Sequence, residues 1–239
     1  MNPKILIIIP AYNEEKNILK TYNSIIKYNE NNQTNYEVIV INDGSTDNTS
    51  KICHDNNIPI IDLVVNLGIG GAVQTGYKYA YYNNYDIAVQ FDGDGQHDVN
   101  YIKTITEPII SGTCDMIIGS RFVDKESIGF KSSVARRFGI KIISNLIKFS
   151  CNKKIYDATS GFRAINRNLI KEFCVNYPIE YPEPITNAIV VKKGYEVQEV
   201  TVKMHARQGG VSSIKTWKNA YYMMNVGLAL IITKFRRYK

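Results

Sequence analysis

The sequence predicts an α/β fold built on a mostly parallel, Rossmann-like sheet flanked by helices. Three observations predict it. Short apolar, β-branched runs recur through roughly the first ninety residues, each run ends in a polar, turn-rich loop, and a stretch with helical spacing follows each loop. In sheets of this kind ligands sit beyond the carboxyl ends of the strands, so the polar loops are expected to converge on one site.

Each element can be justified in order. Ile5–Ile9 is a continuous apolar run and reads as a buried parallel strand. Pro10-Ala-Tyr-Asn-Glu-Glu follows, then Ile18, Leu19, Tyr22, Ile25 and Ile26 at helical spacing, with Asn13 as the expected N-cap and Glu14 and Glu15 in the first turn. Glu37–Ile41 is a second strand, ending in Asn42-Asp-Gly-Ser-Thr-Asp and a helix expected near Asp47. Ile58–Val65 is a third, followed by Asn66-Leu-Gly-Ile-Gly-Gly-Ala and a helix carrying Ala72, Val73, Tyr77 and Ala80. Asp86–Phe91 is a fourth, running into Asp92-Gly-Asp-Gly-Gln-His97.

The second half is less regular. Tyr101–Ser111 reads as a helix, Asp115–Gly119 as a short strand leading into Ser120-Arg-Phe, and Val134–Phe149 as a basic amphipathic helix carrying Arg136 and Arg137. Asp157–Arg163 reads as a polar turn. Glu180-Tyr-Pro-Glu-Pro opens another helix that ends at Gly194, Glu196–Val202 alternates as a half-exposed strand, and Met204–Ser213 reads as a basic loop. In the last segment the run Ala220–Ile232 spans about thirteen residues, below the ~20 needed to cross a bilayer. With Trp217, Tyr221 and Tyr222 before it and Lys-Phe-Arg-Arg-Tyr-Lys after, it suits a membrane interface or an internal packing helix equally. The expected organisation is one domain over residues 1–214 and a C-terminal amphipathic helix with a basic tail over 215–239.

Composition narrows the partners. Of 29 Lys and Arg, eight lie between positions 200 and 239, where there is no Asp or Glu; the other 21 nearly balance the 22 acidic residues. The basic character therefore belongs to the C-terminal region and points to anionic phosphates of a ligand or a lipid headgroup. No nucleic-acid-binding motif is present. The four cysteines form no C-x-x-C pair, which argues against zinc and against a disulfide framework. The opening apolar run is too short for a signal-peptide core, so a cytoplasmic protein, peripheral at the inner membrane face, is expected.

The chemistry concentrates in the carboxylates. Asp92 and Asp94 stand one residue apart at a strand end, beside Gln96. Two such carboxylates repel unless a cation or protons neutralise them, and hard oxygen ligands suit Mg²⁺ or Mn²⁺ against a diphosphate. Gly68-Ile-Gly-Gly does not complete a dinucleotide fingerprint, and no P-loop motif is present.

Six motifs in order, Pro10-Ala-Tyr-Asn-Glu, Asn42-Asp-Gly-Ser-Thr-Asp, Asn66-Leu-Gly, Asp92-Gly-Asp-Gly-Gln-His, Gly119-Ser-Arg-Phe and Ser160-Gly-Phe-Arg, give a chain that resembles the family 2 glycosyltransferases over roughly residues 4–215. The likeness is greatest to the dolichol-phosphate-mannose-synthase-like branch. The resemblance implies a GT-A fold, a nucleotide-sugar donor (UDP-, GDP- or dTDP-linked), a divalent cation and inversion at the anomeric carbon. It assigns Pro10, Ala11, Tyr12, Glu14, Asp43, Asn66, Gly68, Asp92 and Gly93 to the donor, and Asp92, Asp94 and Gln96 to the metal. Arg121, Arg136 or Arg137, and Arg163 match basic residues facing phosphates, with Arg163 placed among the catalytic residues; Arg207 is expected to close over the donor. The acceptor is expected to be a polyprenyl phosphate or a lipid-linked glycan. A sugar hydroxyl would need a general base, for which Asp157 is the first candidate and Glu183 the second; a lipid phosphate would need none. A homo-oligomer stays open. The rivals are a sugar-phosphate nucleotidyltransferase, whose Gly-rich basic loop is missing after the first strand, and a sugar-nucleotide-binding protein without transfer activity.

Overall fold

The computed structural model describes residues 3–123, 134–205 and 216–238, with side chains for all of them except 134–136 and 216–221. Among the described residues seven strands form one sheet: β1 (Ile5–Ala11), β2 (Glu37–Asn42), β3 (Ile60–Asp62), β4 (Ile87–Gln90), β5 (Met116–Ser120), β6 (Arg163–Asn166) and β7 (Val197–Thr201), in the order β3-β2-β1-β4-β6-β5-β7. The first four run parallel, and β5 and β7 pair parallel; β6 alone is antiparallel to both of its neighbours.

β1 explains the layering. All seven of its residues are buried, and their direction alternates with the period-2 pleat. Leu6 and Ile8 join the apolar layer that holds Tyr77, Ile143, Phe173 and Val226, whereas Ile5, Ile7 and Ile9 join the layer of Ile18, Ile25, Ile102 and Ile105. A continuous apolar run is therefore what a strand covered on both faces requires. Each such isoleucine stabilises the fold by about 1.5–3 kcal/mol through burial. Helices α1 (Ile18–Asn32), α2 (Thr49–Asp55) and α4 (Ile102–Ile110) carry the second layer; α3 (Gly68–Tyr82), α5 (Val134–Cys151), α6 (Arg167–Val175), α7 (Pro182–Lys192) and α8 (Thr216–Phe235) carry the first.

Several expectations need correction. Asn13 is not an N-cap: it has φ +57, its N–H donates to Ser45 Oγ, and α1 begins only at Ile18. The third strand is three residues long, because Val64 and Val65 turn out to solvent. The stretch read as a polar turn ends in a buried strand, and both Asp157 and Arg163 within it are fully buried. Helix α6 was not anticipated. The last helix packs internally along one face: Val226, Leu230 and Thr233 are buried against α5 and α7, while Met224, Leu228, Ile231, Ile232 and Phe235 are exposed. All four cysteines are unpaired, and among the described residues no helix is long and apolar enough to cross a membrane.

Candidate active site

The carboxyl ends of β1, β2, β3 and β4 lie along one edge of the sheet. Because β6 runs the other way, its first residue, Arg163, reaches the same edge directly opposite Gln90, the last residue of β4. Two groups of residues gather there.

The first follows β1 and β2. The N–H of Asp43 donates to the Ala11 carbonyl, extending the β1–β2 ladder by one bond at 2.8 Å. Its buried carboxylate then accepts the Leu67 N–H at 2.7 Å, and its carbonyl accepts from the Asn66 amide at 3.0 Å. Burial raises the carboxyl above the ordinary Asp value, and the N–H groups of Leu67 and Gly68 pull it partly back. Asp43 thus spends at least one oxygen on holding the 66–68 loop. Glu14 is buried, with its N–H on Thr49 Oγ1 and Oε2 accepting from Asn17. Tyr12 is 47% exposed, available to a planar ligand. Gly93 joins this group to the next: a Cβ there would lie 3.2 Å from the Pro10 carbonyl and 3.7 Å from Glu14 Cγ.

The second group surrounds Asp92, which is partly buried. Gln90 Nε2 donates to its Oδ1 at 3.3 Å. Gly161 approaches so closely that a Cβ would meet both carboxylate oxygens at 2.9 and 3.1 Å and Gln90 Nε2 at 2.8 Å, which explains a glycine at that position. Asp94 is buried and accepts the Gln96 N–H at 3.0 Å; the Gln96 side chain contacts the His205 carbonyl at 3.4 Å. Among the described residues no three His, Cys, Asp or Glu cluster to complete a metal site. The oxygen-only pair Asp92 and Asp94 nonetheless fits a hard cation that takes its remaining ligands from a diphosphate.

Arg121 and Asp157 form a buried pair. The guanidinium donates through Nε to Oδ2 at 2.7 Å and through Nη2 to Oδ1 at 2.8 Å, and the Arg121 N–H adds a third bond at 3.0 Å. Burial alone would lower the Arg121 pKa, but these bonds and the charges of Asp157 and Asp92 hold it above its ordinary value. Glu199 accepts the N–H groups of Tyr156 and Asp157 at 2.7 and 2.8 Å and so anchors the segment that carries Asp157. Arg163 is fully buried, donating to Thr186 Oγ1 at 3.0 Å and to the Ser160 carbonyl at 2.6 Å, with Nε left without a protein partner. Glu183, partly buried in the first turn of α7, has its carboxyl raised by burial and drawn back by the charge of Arg163, with Asp92 also within electrostatic reach.

Most of the expected residues therefore meet at one edge, as two groups joined by Gly93. Arg137 is exposed; Arg207 and the Arg136 side chain lie outside what the structure describes. Residues missed at the sequence level are Gln90, Glu199 and, beyond their places in motifs, Gly161 and His97. Gln90 carried a signal, a polar residue ending an otherwise apolar strand; Glu199 carried none.

Residues 6–174 match the family described as Glycosyl transferase family 2. The chain is a family 2 glycosyltransferase. Among similar proteins, the UDP-N-acetylglucosamine–dolichyl-phosphate N-acetylglucosaminyltransferase of Methanococcus voltae is 31% identical, over 83% of this chain and 84% of that one. The dolichol-phosphate mannosyltransferase of Pyrococcus furiosus is 30% identical, over 89% of this chain and 59% of that one. Such relatives support the dolichol-phosphate branch. Glucosyl-3-phosphoglycerate synthase of Mycobacterium tuberculosis, solved with Mn²⁺, UDP and phosphoglyceric acid, shares the fold with a TM-score of 0.73 at 17% identity, covering 98% of this glycosyltransferase and 79% of that chain. The GT-A expectation agrees with that likeness.

Proposed function

We propose that this glycosyltransferase moves a sugar from a nucleoside-diphosphate donor to a polyprenyl phosphate, with inversion at the anomeric carbon, at a membrane surface. The observation that carries the acceptor class is the Arg121–Asp157 pair. Asp157, the first candidate base, has both oxygens engaged by Arg121, which suits it to hold a cation in place rather than to take a proton. An acceptor that is already anionic needs fixed positive charge and no base. The relatives whose names specify dolichyl phosphate point the same way.

On this reading the loops around Pro10, Tyr12, Glu14, Asp43, Asn66 and Gly68 receive the nucleoside, and Asp92, Asp94 and Gln96 hold Mg²⁺ or Mn²⁺. Once bound, the cation would neutralise charge on the departing diphosphate. Arg121 faces the same site and stabilises phosphate charge without reorganising, because Asp157 and Glu199 have already set its orientation. Arg163 stays beneath the site and orients Glu183 electrostatically. The outward stripes of α5 (Phe138, Ile142, Phe149) and α8, on helices that hold no acidic residue, are the surface offered to the membrane.

A second reading, with a lipid-linked saccharide as acceptor, is favoured by Glu183, whose raised carboxyl suits a general base. One experiment separates the two. UDP-, GDP- and dTDP-sugars are first screened with Mn²⁺ by thermal shift, since a bound ligand raises apparent stability. The donor that binds is then offered with undecaprenyl phosphate to the wild type and to Glu183→Gln. Transfer by both supports the phosphate acceptor; no transfer by the wild type removes it. With a lipid-linked saccharide offered instead, transfer by the wild type that falls roughly 10²–10⁴ in the variant, the span expected for losing general base catalysis, would move the assignment to a hydroxyl acceptor.

A further inference from the structure

His97 lies beneath Asp92, and none of the roles above uses it. Its ring is buried, stacked on Phe162 with centroids 4.7 Å apart and meeting Phe91 edge-on at 5.4 Å. Both ring nitrogens nevertheless face one residue. The Asp92 N–H donates to Nδ1 at 3.0 Å, so Nδ1 carries the lone pair and a neutral ring bears its hydrogen on Nε2. That nitrogen stands 3.5 Å from Asp92 Oδ2. The opposite oxygen, Oδ1, receives Gln90, and the Gly161 backbone packs close to both oxygens. The His97 backbone is held from outside the loop by an isolated antiparallel bridge to Met204, supported by the His205 N–H on the Gln96 carbonyl at 2.8 Å.

We propose that His97 is a positioning residue for the cation–diphosphate site, fixing the backbone and the carboxylate of Asp92 together through its two ring nitrogens. The inference rests on the reading of Asp92 and Asp94 as cation ligands. It follows from what other side chains could supply. Phenylalanine keeps the stack on Phe162 and loses both polar contacts. Asparagine places an acceptor where Nδ1 stands but cannot reach the carboxylate. Glutamine can reach the carboxylate but presents no acceptor at the position of Nδ1. Only an imidazole joins an acceptor for the backbone to a donor for the carboxylate in one rigid ring. Outer-shell groups that orient a ligand typically govern ten- to hundredfold in metal affinity.

The test is Mn²⁺ binding by the full chain, followed through the electron paramagnetic resonance of free Mn²⁺, with UDP, GDP and dTDP in parallel. His97→Phe is expected to lower Mn²⁺ affinity roughly ten- to hundredfold while its metal-free melting temperature stays near that of the wild type. His97→Asn should fall between the two, since it restores the backbone acceptor alone. In turnover assays the Mn²⁺ requirement should rise while the rate at saturating Mn²⁺ recovers. Should His97→Phe not fold, His97→Asn and His97→Gln carry the same measurement. Mn²⁺ affinity unchanged in folded variants overturns the inference and leaves the site reading intact. A wild type that binds no Mn²⁺ with any of the three nucleotides overturns both.

Discussion

Asp157 and Arg121 set the strongest constraint among single residues. Removing one partner of a buried, hydrogen-bonded ion pair leaves an uncompensated charge, which costs about 3–5 kcal/mol. Asp157→Asn should therefore lower the unfolding free energy, read from urea denaturation, by that order as well as reduce transfer; a variant with wild-type stability and abolished turnover would return Asp157 to the role of base. Glu183 carries the opposite sign. Its carboxyl lies above the ordinary 4.5 in the folded chain, so ionising it costs stability as pH rises through the folded value, while well below 4.5 both states are protonated and nothing is lost. Glu183→Gln should accordingly be more stable than the wild type at neutral pH, with the advantage vanishing in acid; equal denaturation midpoints at both pH values would refute that account. These two carboxylates also mark where the sequence stopped being legible. Asp92, Asp94 and Asp43 could be singled out because local motifs at strand ends carry them. Asp157 and Glu183 were named as first and second candidate bases on position alone, while their surroundings depend on Arg121 and Arg163, partners 36 and 20 residues away.

Among the elements, the first four strands and α1 to α3 were readable because each repeats a short local pattern. β6 and α6 were not. β6 is four residues long and follows a buried polar segment, so no alternation announces it. Its place depends on pairing with β4 and β5 rather than on its own propensity. Boundaries failed where a loop is held by another loop, as Asn13 is by Ser45 and Thr46. Helix α3 shows how closely the layers fit. Gly76 faces β1, and a Cβ there would overlap Ile8 Cγ2 and stand 3.0 Å from Ile8 Cδ1. Gly76→Ala should cost about 1–3 kcal/mol through overpacking, despite the better helix propensity of alanine. A melting temperature at or above that of the wild type would mean that α3 can move off the sheet freely.

For the whole molecule, the question is what meets the exposed stripe of α8. Its inner stripe is committed to the core, and Met224, Leu228, Ile231, Ile232 and Phe235 recur outward at helical spacing, with Lys234, Arg236 and Arg237 close by. Co-sedimentation with phosphatidylglycerol vesicles should exceed that with phosphatidylcholine and weaken with salt. Leu228→Ser and Phe235→Ser should each weaken it by about tenfold, the equivalent of losing roughly 1.5 kcal/mol of apolar burial. Indifference to lipid charge and to both substitutions would assign the stripe elsewhere. The lone reversed strand has a consequence in time as well as in space. While the chain is being made, the parallel strands β1, β2, β3 and β4 are complete once Gln90 has left the ribosome, yet Gly161, which packs on Asp92, and Arg163, which pairs opposite Gln90, are still roughly seventy residues from emerging. At 5–20 residues per second that interval lasts about 4–14 seconds. On the proposed assignment, for those seconds the nascent chain would hold the loops given to the nucleoside without the residues given to transfer, and a donor would be bound before it could react.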